Sequence, residues 1–432
     1  MMKETRPARR PIYFLALFHM QAFTYKEHAL HCEGVALAEI AARAGTPCYV
    51  YSSETIRGNY RAYDRAFGDQ PHTVCYAVKA NGNLSVLRLL AAEGAGFDIV
   101  SGGELFRVLK AGGDPAKIVF SGVGKTAAEV DEALAAGIFH FNCESEPELA
   151  LIDALAHRRG VKARVALRVN PDVETDTHHY ISTGKLAHKF GIDIADAEGV
   201  YERARALPDL LLEGVSCHIG SQLMDADPVM EAVDRVLELI ELLRAKGFDI
   251  RQADFGGGLG VAYRTEDQTP SISEFIGKLK ARVQGRGLHV LVEPGRSIVG
   301  EAGVLLTKVL YRKTTGDKEF VIVDAAMNDL IRPALYQAHH EILPVRSRAG
   351  RAMRADVVGP VCETGDFLAR DRELPEVLPG DVLAVCTAGA YGFTQSSTYN
   401  ARRRPPEVMV DGQEWKVVRE RETYEDLIRG ES

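Results

Sequence analysis

At 432 residues the chain is too long for one comfortable core and reads as two domains. Its 46% hydrophobic and 26% charged residues are ordinary for a soluble globular protein, and a net charge of -8 with no basic block argues against a nucleic-acid partner. Seven cysteines, at positions 32, 48, 75, 143, 217, 362 and 386, include no CxxC pair, which fits free thiols in a reducing, cytoplasmic setting better than a disulfide framework or a zinc knot.

Arg6, Arg9 and Arg10 precede the apolar run Ile12 to Phe18, which superficially resembles the start of a signal peptide. The run is too short for that role or for a membrane span, and no small-residue cleavage site follows before Phe23. Residues 1–22 read as a loose extension, with Met20 as an alternative start. From Phe23 a short strand leads to a helix over Val35 to Ala44, stopped by Gly45 and Pro47. Residues 23–46 are expected to join a β domain, because a strand ahead of a closed barrel has no neighbour within it.

From residue 47 strands and helices alternate. Eight apolar runs read as strands: Thr73–Val78, Phe97–Val100, Lys117–Phe120, Ile138–Asn142, Arg164–Asn170, Leu212–His218, Ile250–Phe255 and His289–Val292. Helical patterns lie between them, as in Val229–Ala245 with Val236, Leu237, Ile240 and Leu243 at three-and-four spacing. Runs such as "ARVALRV" and "LHVLV" are nearly continuous in apolar residues, as in strands covered on both faces. The fold class expected is α/β: a (β/α)8 TIM barrel over residues 47–296, followed by a mostly β C-terminal domain over 297–432. A doubly wound open sheet is the competing architecture, and the pattern alone leaves it open.

The residues at the C-terminal strand ends are Lys79, Ser101, Ser121, Asn142, Asn170, His218, Gly256 to Gly258, and Glu293 with Arg296. In a barrel this rim is where ligands bind. Lys79 ends the buried run "TVCYAVKAN"; at the mouth of an apolar pocket such an amine loses its proton and condenses with a carbonyl, whereas on its own it reads as a surface lysine. Gly256, Gly257 and Gly258 in "DFGGGLG" offer bare N–H groups to a phosphate, although such turns also occur without a ligand. The spacing is not a dinucleotide fingerprint.

Glu293 in "VEPGRS" follows a buried run and needs a cation, either a ligand or a nearby arginine. His218 and Ser221 in "HIGSQ" suit a ring against a flat cofactor and a hydroxyl near phosphate, or a satisfied core histidine. The pairs His178–His179 and His339–His340 lack the partners of a metal site, so no metal is expected. Cys362 beside Glu363 leaves a Cys–His hydrolase open.

Together, "YAVKANGNLSVLRLL", "GFDIVSGGE", "HIGSQ", "DFGGGLG", "EPGRS" and "CETGD" resemble the alanine-racemase-like (fold type III) pyridoxal-phosphate decarboxylases, and among them the diaminopimelate decarboxylases. The resemblance runs from about residue 24 to about 420. It implies a head-to-tail homodimer with active sites shared between subunits, and a small-molecule substrate. It implies that Lys79 holds pyridoxal 5'-phosphate, that His218 stacks on it, and that Glu293 meets its ring nitrogen. Ser221, Gly256 to Gly258, Gly295, Arg296 and Tyr391 match positions around the phosphate. Asp98 and Arg168 match positions that orient His218 and Lys79.

Arg296, Arg332 and Tyr336 resemble the set that holds the retained substrate carboxylate. Cys362 and Glu363 resemble the pair presented by the second subunit, with Cys362 or Lys79 returning a proton to Cα. The segment 178–191 resembles the diaminopimelate form of the active-site loop. The implied reaction converts meso-2,6-diaminopimelate to L-lysine and CO2 by loss of the carboxylate at the D-configured centre, the last step of lysine biosynthesis. A decarboxylase of ornithine, arginine or carboxynorspermidine, or a non-catalytic pyridoxal-phosphate carrier, stands as the alternative.

Overall fold

The computed structural model describes residues 22–173, 189–348 and 351–432. Its first body is a closed ring of eight parallel strands: His72–Ala77, Gly96–Ile99, Ile118–Phe120, His140–Cys143, Ala163–Asn170, Leu210–Cys217, Gln252–Asp254 and His289–Val292. The ring closes where Val290 pairs with His72, and the fourth strand joins the fifth through Phe141 and Val165. All eight strands expected from the sequence are present, and closure excludes the open sheet.

Helices cover the outside of the ring. Local signals start and stop them: the Thr126 side chain and Glu129 form a reciprocal cap on Ala127–Ala136, and Gly137 ends that helix in the left-handed region. Inside the ring, Cys75, Val119 and Leu291 form a small apolar plug. Side chains two residues further along a strand face the same way. Ala77, Ser121 and Glu293 therefore stand directly above the plug, at the floor of the barrel mouth.

The second body is a nine-stranded, largely antiparallel sheet. Its central path runs Phe367–Pro375, Ala352–Val358, Lys318–Val323, Gly303–Thr315, Cys48–Ser52, Glu407–Asp411 and Glu414–Arg419. Cys48–Ser52 corrects the boundary placed at residue 47, because it pairs with Gly303–Leu306 and Glu407–Val410 rather than with any barrel strand. The physical reason is its burial: all five residues are covered, which two sheet neighbours provide. Ser52 ends this strand and caps the helix Ser53–Phe67 by accepting from the Thr55 N–H, so the chain enters the barrel layer directly from the β sheet.

Phe23–Lys26, Ala29–Cys32 and Val35–Ala36 make a separate three-stranded sheet. Its Phe23, Leu30 and Cys32 share one core with Val304, Leu306, Val345 and Val408 of the second body. A short helix, Arg332–Tyr336, ends where Gln337 turns into the left-handed region. No helix among the described residues is long and apolar enough to cross a membrane.

Candidate active site

The C-terminal rim opens into a cavity of about 550 Å3, a size ordinary for a small-molecule site. Lys79, His218, Ser221, Gly258, Glu293, Gly295, Arg296, Arg332, Tyr336 and Tyr391 all line it. Both bodies contribute, since Arg332, Tyr336 and Tyr391 come from the second.

Lys79 lies on the single 3-10 turn Val78–Ala80 that ends the first strand. Ala77 sits opposite Asp98 in the strand register, so the lysine reaches over its neighbour, and Nζ donates to Asp98 Oδ2 at 2.5 Å. Burial alone weakens the ammonium, but the acidic groups around it, above all the Asp98 carboxylate and then Glu293 and Tyr391, outweigh that and raise its pKa. This corrects the expectation that an apolar pocket strips the proton from Lys79. In the chain by itself Asp98 keeps it charged. The other Asp98 oxygen, Oδ1, is buried without a partner.

Glu293 is 9% exposed, and among the described residues no cation lies within ion-pair distance of it. Its Oε1 accepts from Ser121 Oγ at 3.3 Å and from Asn142 Nδ2 at 3.2 Å. Loss of water first, then the carboxylates of Asp254 and Asp98, hold its pKa well above the ordinary range, with Lys79 pulling the other way. The pairing with a nearby arginine left open by the sequence does not occur.

His218 is half-buried, and its Nδ1 accepts from the Gly257 N–H at 3.3 Å. Desolvation first, then Arg168 and Lys79, push its pKa well below the ordinary histidine value, so the ring is neutral and flat beside the lysine. Arg168 itself pairs with Glu144 at 3.1 Å.

The glycine turn after the seventh strand has no room for side chains. A Cβ on Gly257 would sit 2.4 Å from the Glu293 carbonyl oxygen, and one on Gly258 would sit 2.7 Å from that of Gly220. Gly256 and Gly258 also take positive φ, at 64° and 104°. The wall here is bare backbone beside Ser221 and Arg296.

Arg296 and Arg332 are each 6% exposed. Arg296 donates to Tyr263 Oη at 2.6 Å and to Ser221 Oγ at 3.0 Å, while its Nε is buried with no partner. Arg332 Nε donates to His340 Nε2 at 3.3 Å, and its guanidinium stands 5.0 Å from the Tyr263 ring centre. Among the described residues neither arginine has a carboxylate within 4 Å. Two buried cations face the cavity without an anion.

Cys362 and Glu363 do not line this cavity. Both are exposed, the Cys362 N–H donating to Asn400 Oδ1 at 2.8 Å, and Cys362 is the one exposed thiol among the described cysteines. His178 and His179, with most of the loop 178–191, lie outside the described residues. His340, read from the sequence as half of a histidine pair, is buried with Nδ1 against the Cys386 carbonyl and serves to brace Arg332.

Sequence reasoning gave no role to Ser121, Asn142, Asp254, Tyr263 or His340. Asp254 carried a usable signal: it is the acidic residue that opens "DFGGGLG" at the end of a buried strand. Tyr263 carried none, since its contact with Arg296 spans 33 positions, from a loop to the first residue of the short helix Arg296–Val299.

An aldehyde-bearing, phosphorylated pyridine fits these residues. The amine of Lys79, an acidic group at the floor, a flat neutral ring, a bare glycine wall and the unpartnered Nε of Arg296 surround one cavity. Residues 53–300 match the family described as pyridoxal-dependent decarboxylase, pyridoxal binding domain, the class of protein that this barrel and its lysine define. The chain is 56% identical over 413 residues to diaminopimelate decarboxylase of Pseudomonas aeruginosa, covering 96% of this chain and 99% of that one.

Among solved structures, diaminopimelate decarboxylase from Helicobacter pylori complexed with L-lysine superposes with a TM-score of 0.88 at 43% identity, covering 91% of this chain and 98% of that one. The M. jannaschii enzyme in co-complex with L-lysine gives 0.91 at 38% identity, covering 95% and 98%. The chain belongs to the diaminopimelate decarboxylase family.

Proposed function

We propose that this chain decarboxylates meso-2,6-diaminopimelate to L-lysine and CO2, the last step of lysine biosynthesis, using pyridoxal 5'-phosphate. The observation that carries the substrate assignment is the pair of buried guanidiniums, Arg296 and Arg332, that face the cavity with no carboxylate of the described chain to neutralise them. An uncompensated buried charge is costly, so the site is completed by a ligand that brings its own carboxylate. A diamino acid that loses one carboxylate and keeps another meets that need. Ornithine and arginine keep none.

When bound, the cofactor supplies the electron sink that lets the bond from Cα to the departing carboxylate break. Lys79 would hold its aldehyde carbon, Glu293 would face its ring nitrogen, and the neutral ring of His218 would lie along its face. Gly256, Gly257, Gly258, Ser221, Gly295, Arg296 and Tyr391 would surround its phosphate. Asp98 holds a proton on Lys79, and that proton must leave before the amine can act as a nucleophile.

Arg296, Arg332 and Tyr336 grip the carboxylate that stays, which selects the end of the substrate presented for cleavage. A site built to pair that charge rejects an analogue lacking it, because its own polar groups are left unsatisfied.

The exposure of Cys362 and Glu363 outside the cavity supports a head-to-tail homodimer in which they serve the neighbouring site. There Glu363 would meet the distal ammonium and Cys362 would return the proton to Cα, with Lys79 as the alternative donor. A cytoplasmic location accords with the buried free thiols. The test is a CO2-release assay on meso-diaminopimelate, ornithine and arginine with added cofactor. Release from diaminopimelate alone is expected. Equal release from all three would overturn the assignment, and no release from any would point to a carrier.

A further inference from the structure

Beside Glu293 lies a polar cluster that neither the lysine nor the substrate groups use. Asp254, at the end of the seventh strand, is 1% exposed. Its Oδ1 accepts from the Gly256 N–H at 2.9 Å, which shapes the glycine turn. Its Oδ2 accepts from Asn142 Nδ2 at 3.1 Å, and the same amide nitrogen reaches Glu293 Oε1 at 3.2 Å. One NH2 group, also within reach of Ser121 Oγ at 3.1 Å, thus stands between two buried carboxyl groups.

The amide is oriented from behind. Asn142 Oδ1 faces His140 Nε2 at 3.1 Å, and a carbonyl there requires the imidazole to donate. His140 is buried, and desolvation before all else lowers its pKa, so it stands neutral. Asn142 is left to donate on its other side, towards the carboxyl groups. Among the described residues no lysine or arginine pairs with either of them, since the cation above, Lys79, is taken by Asp98.

Two carboxylates this close, dry and without a cation do not both ionise. We propose that Asp254 is a positioning residue that keeps Glu293 protonated in the cofactor-free chain, so that Glu293 meets the ring nitrogen as an acid. Charge is conserved: the carboxyl pair passes from -1 to -2 as the nitrogen gains the proton and becomes +1. This rests on the cofactor reading above. It goes beyond it by naming the source of the ring proton and the residue that holds it in place. The raised pKa of Glu293 accords with the geometry.

The test is infrared spectroscopy of the full chain, stripped of cofactor and shown to regain it on reloading. A protonated-carboxyl band is expected near neutral pH, lost in Glu293→Gln, which assigns it, and lost again when pyridoxal phosphate is loaded. Asp254→Asn keeps an acceptor for the Gly256 N–H but replaces the negative neighbour with a donor. Its band should titrate at least about one pH unit lower, and kcat should fall about tenfold at unchanged KM. Should that variant fail to fold, Asp254→Ser retains the turn acceptor and carries the same expectation. An unchanged titration midpoint, or no band in the parent chain, overturns the role of Asp254 alone. A parent chain that gains no visible absorbance with pyridoxal phosphate overturns the cofactor reading and this role with it.

Discussion

Lys79 and Asp98 are 19 residues apart in the chain and form an ion pair at 2.5 Å, with the aspartate fully buried beneath the lysine. An ammonium is not a nucleophile, so this pair sets the terms on which the lysine captures an aldehyde. Asp98 raises the Lys79 pKa, and attack needs the neutral amine. Asp98→Asn should therefore shift the pH dependence of cofactor loading to lower pH, measured as the rate of visible absorbance gain after mixing with pyridoxal phosphate. Lys79→Ala should gain no such absorbance at any pH. Retained absorbance in that variant removes Lys79 from its place.

Arg332 makes the substrate prediction separable from the cofactor one. It faces the cavity, braced by His340, but no phosphate-wall residue bonds to it. Arg332→Ala should raise KM for diaminopimelate about 30-fold or more, as expected when one partner of a buried charged hydrogen bond is lost. Cofactor affinity should stay within about twofold, since the phosphate contacts are elsewhere. A loss of cofactor with unchanged KM would mean that Arg332 serves the phosphate.

The barrel is legible in the sequence because its strands are covered on both faces and so read as largely apolar runs, with polar residues or glycines where each reaches the rim. "CYVYS" carries the same signature yet enters the other sheet. Burial is visible in composition, but the identity of the covering neighbour is not. Lys79, His218, Glu293 and the glycines stand at strand ends and can be picked out singly. Their charges cannot, because the state of Lys79 depends on a register that sets Ala77 against Asp98. Asn142 and Asp254 illustrate the same limit, each being an ordinary polar strand end until the closed ring brings both against Glu293.

Glu104 gives a pH prediction. It stands in the first turn of the helix Gly102–Ala111 and accepts from the Val100 N–H at 2.8 Å. Burial raises its pKa from 4.5 to about 7, against the pull of that hydrogen bond. The folded chain holds this proton more tightly than the unfolded one. The resulting stability is present below the unfolded value of 4.5 and is lost as pH rises towards the folded value of about 7. Glu104→Gln removes the titration, so it should gain on the parent by on the order of 1–2 kcal/mol between about pH 5 and pH 8. Thermal midpoints at the two pH values measure this, and an equal gap between the chains at both would refute it.

Cys362 and Lys79 test the shared site by complementation. Neither Lys79→Ala nor Cys362→Ala homodimers should turn over normally, the first for want of the amine and the second for want of the thiol. In a mixed dimer one site has both defects and the other has neither, because the Lys79→Ala subunit lends an intact thiol to its neighbour's intact barrel. Random exchange makes half the dimers mixed, each with one good site, so about a quarter of the parent's activity should return. Recovery is measured after subunit exchange under mild denaturation, with each variant exchanged against itself as the control. If Cys362 instead acted within its own subunit, each chain of a mixed dimer would carry one defect, and no activity would return.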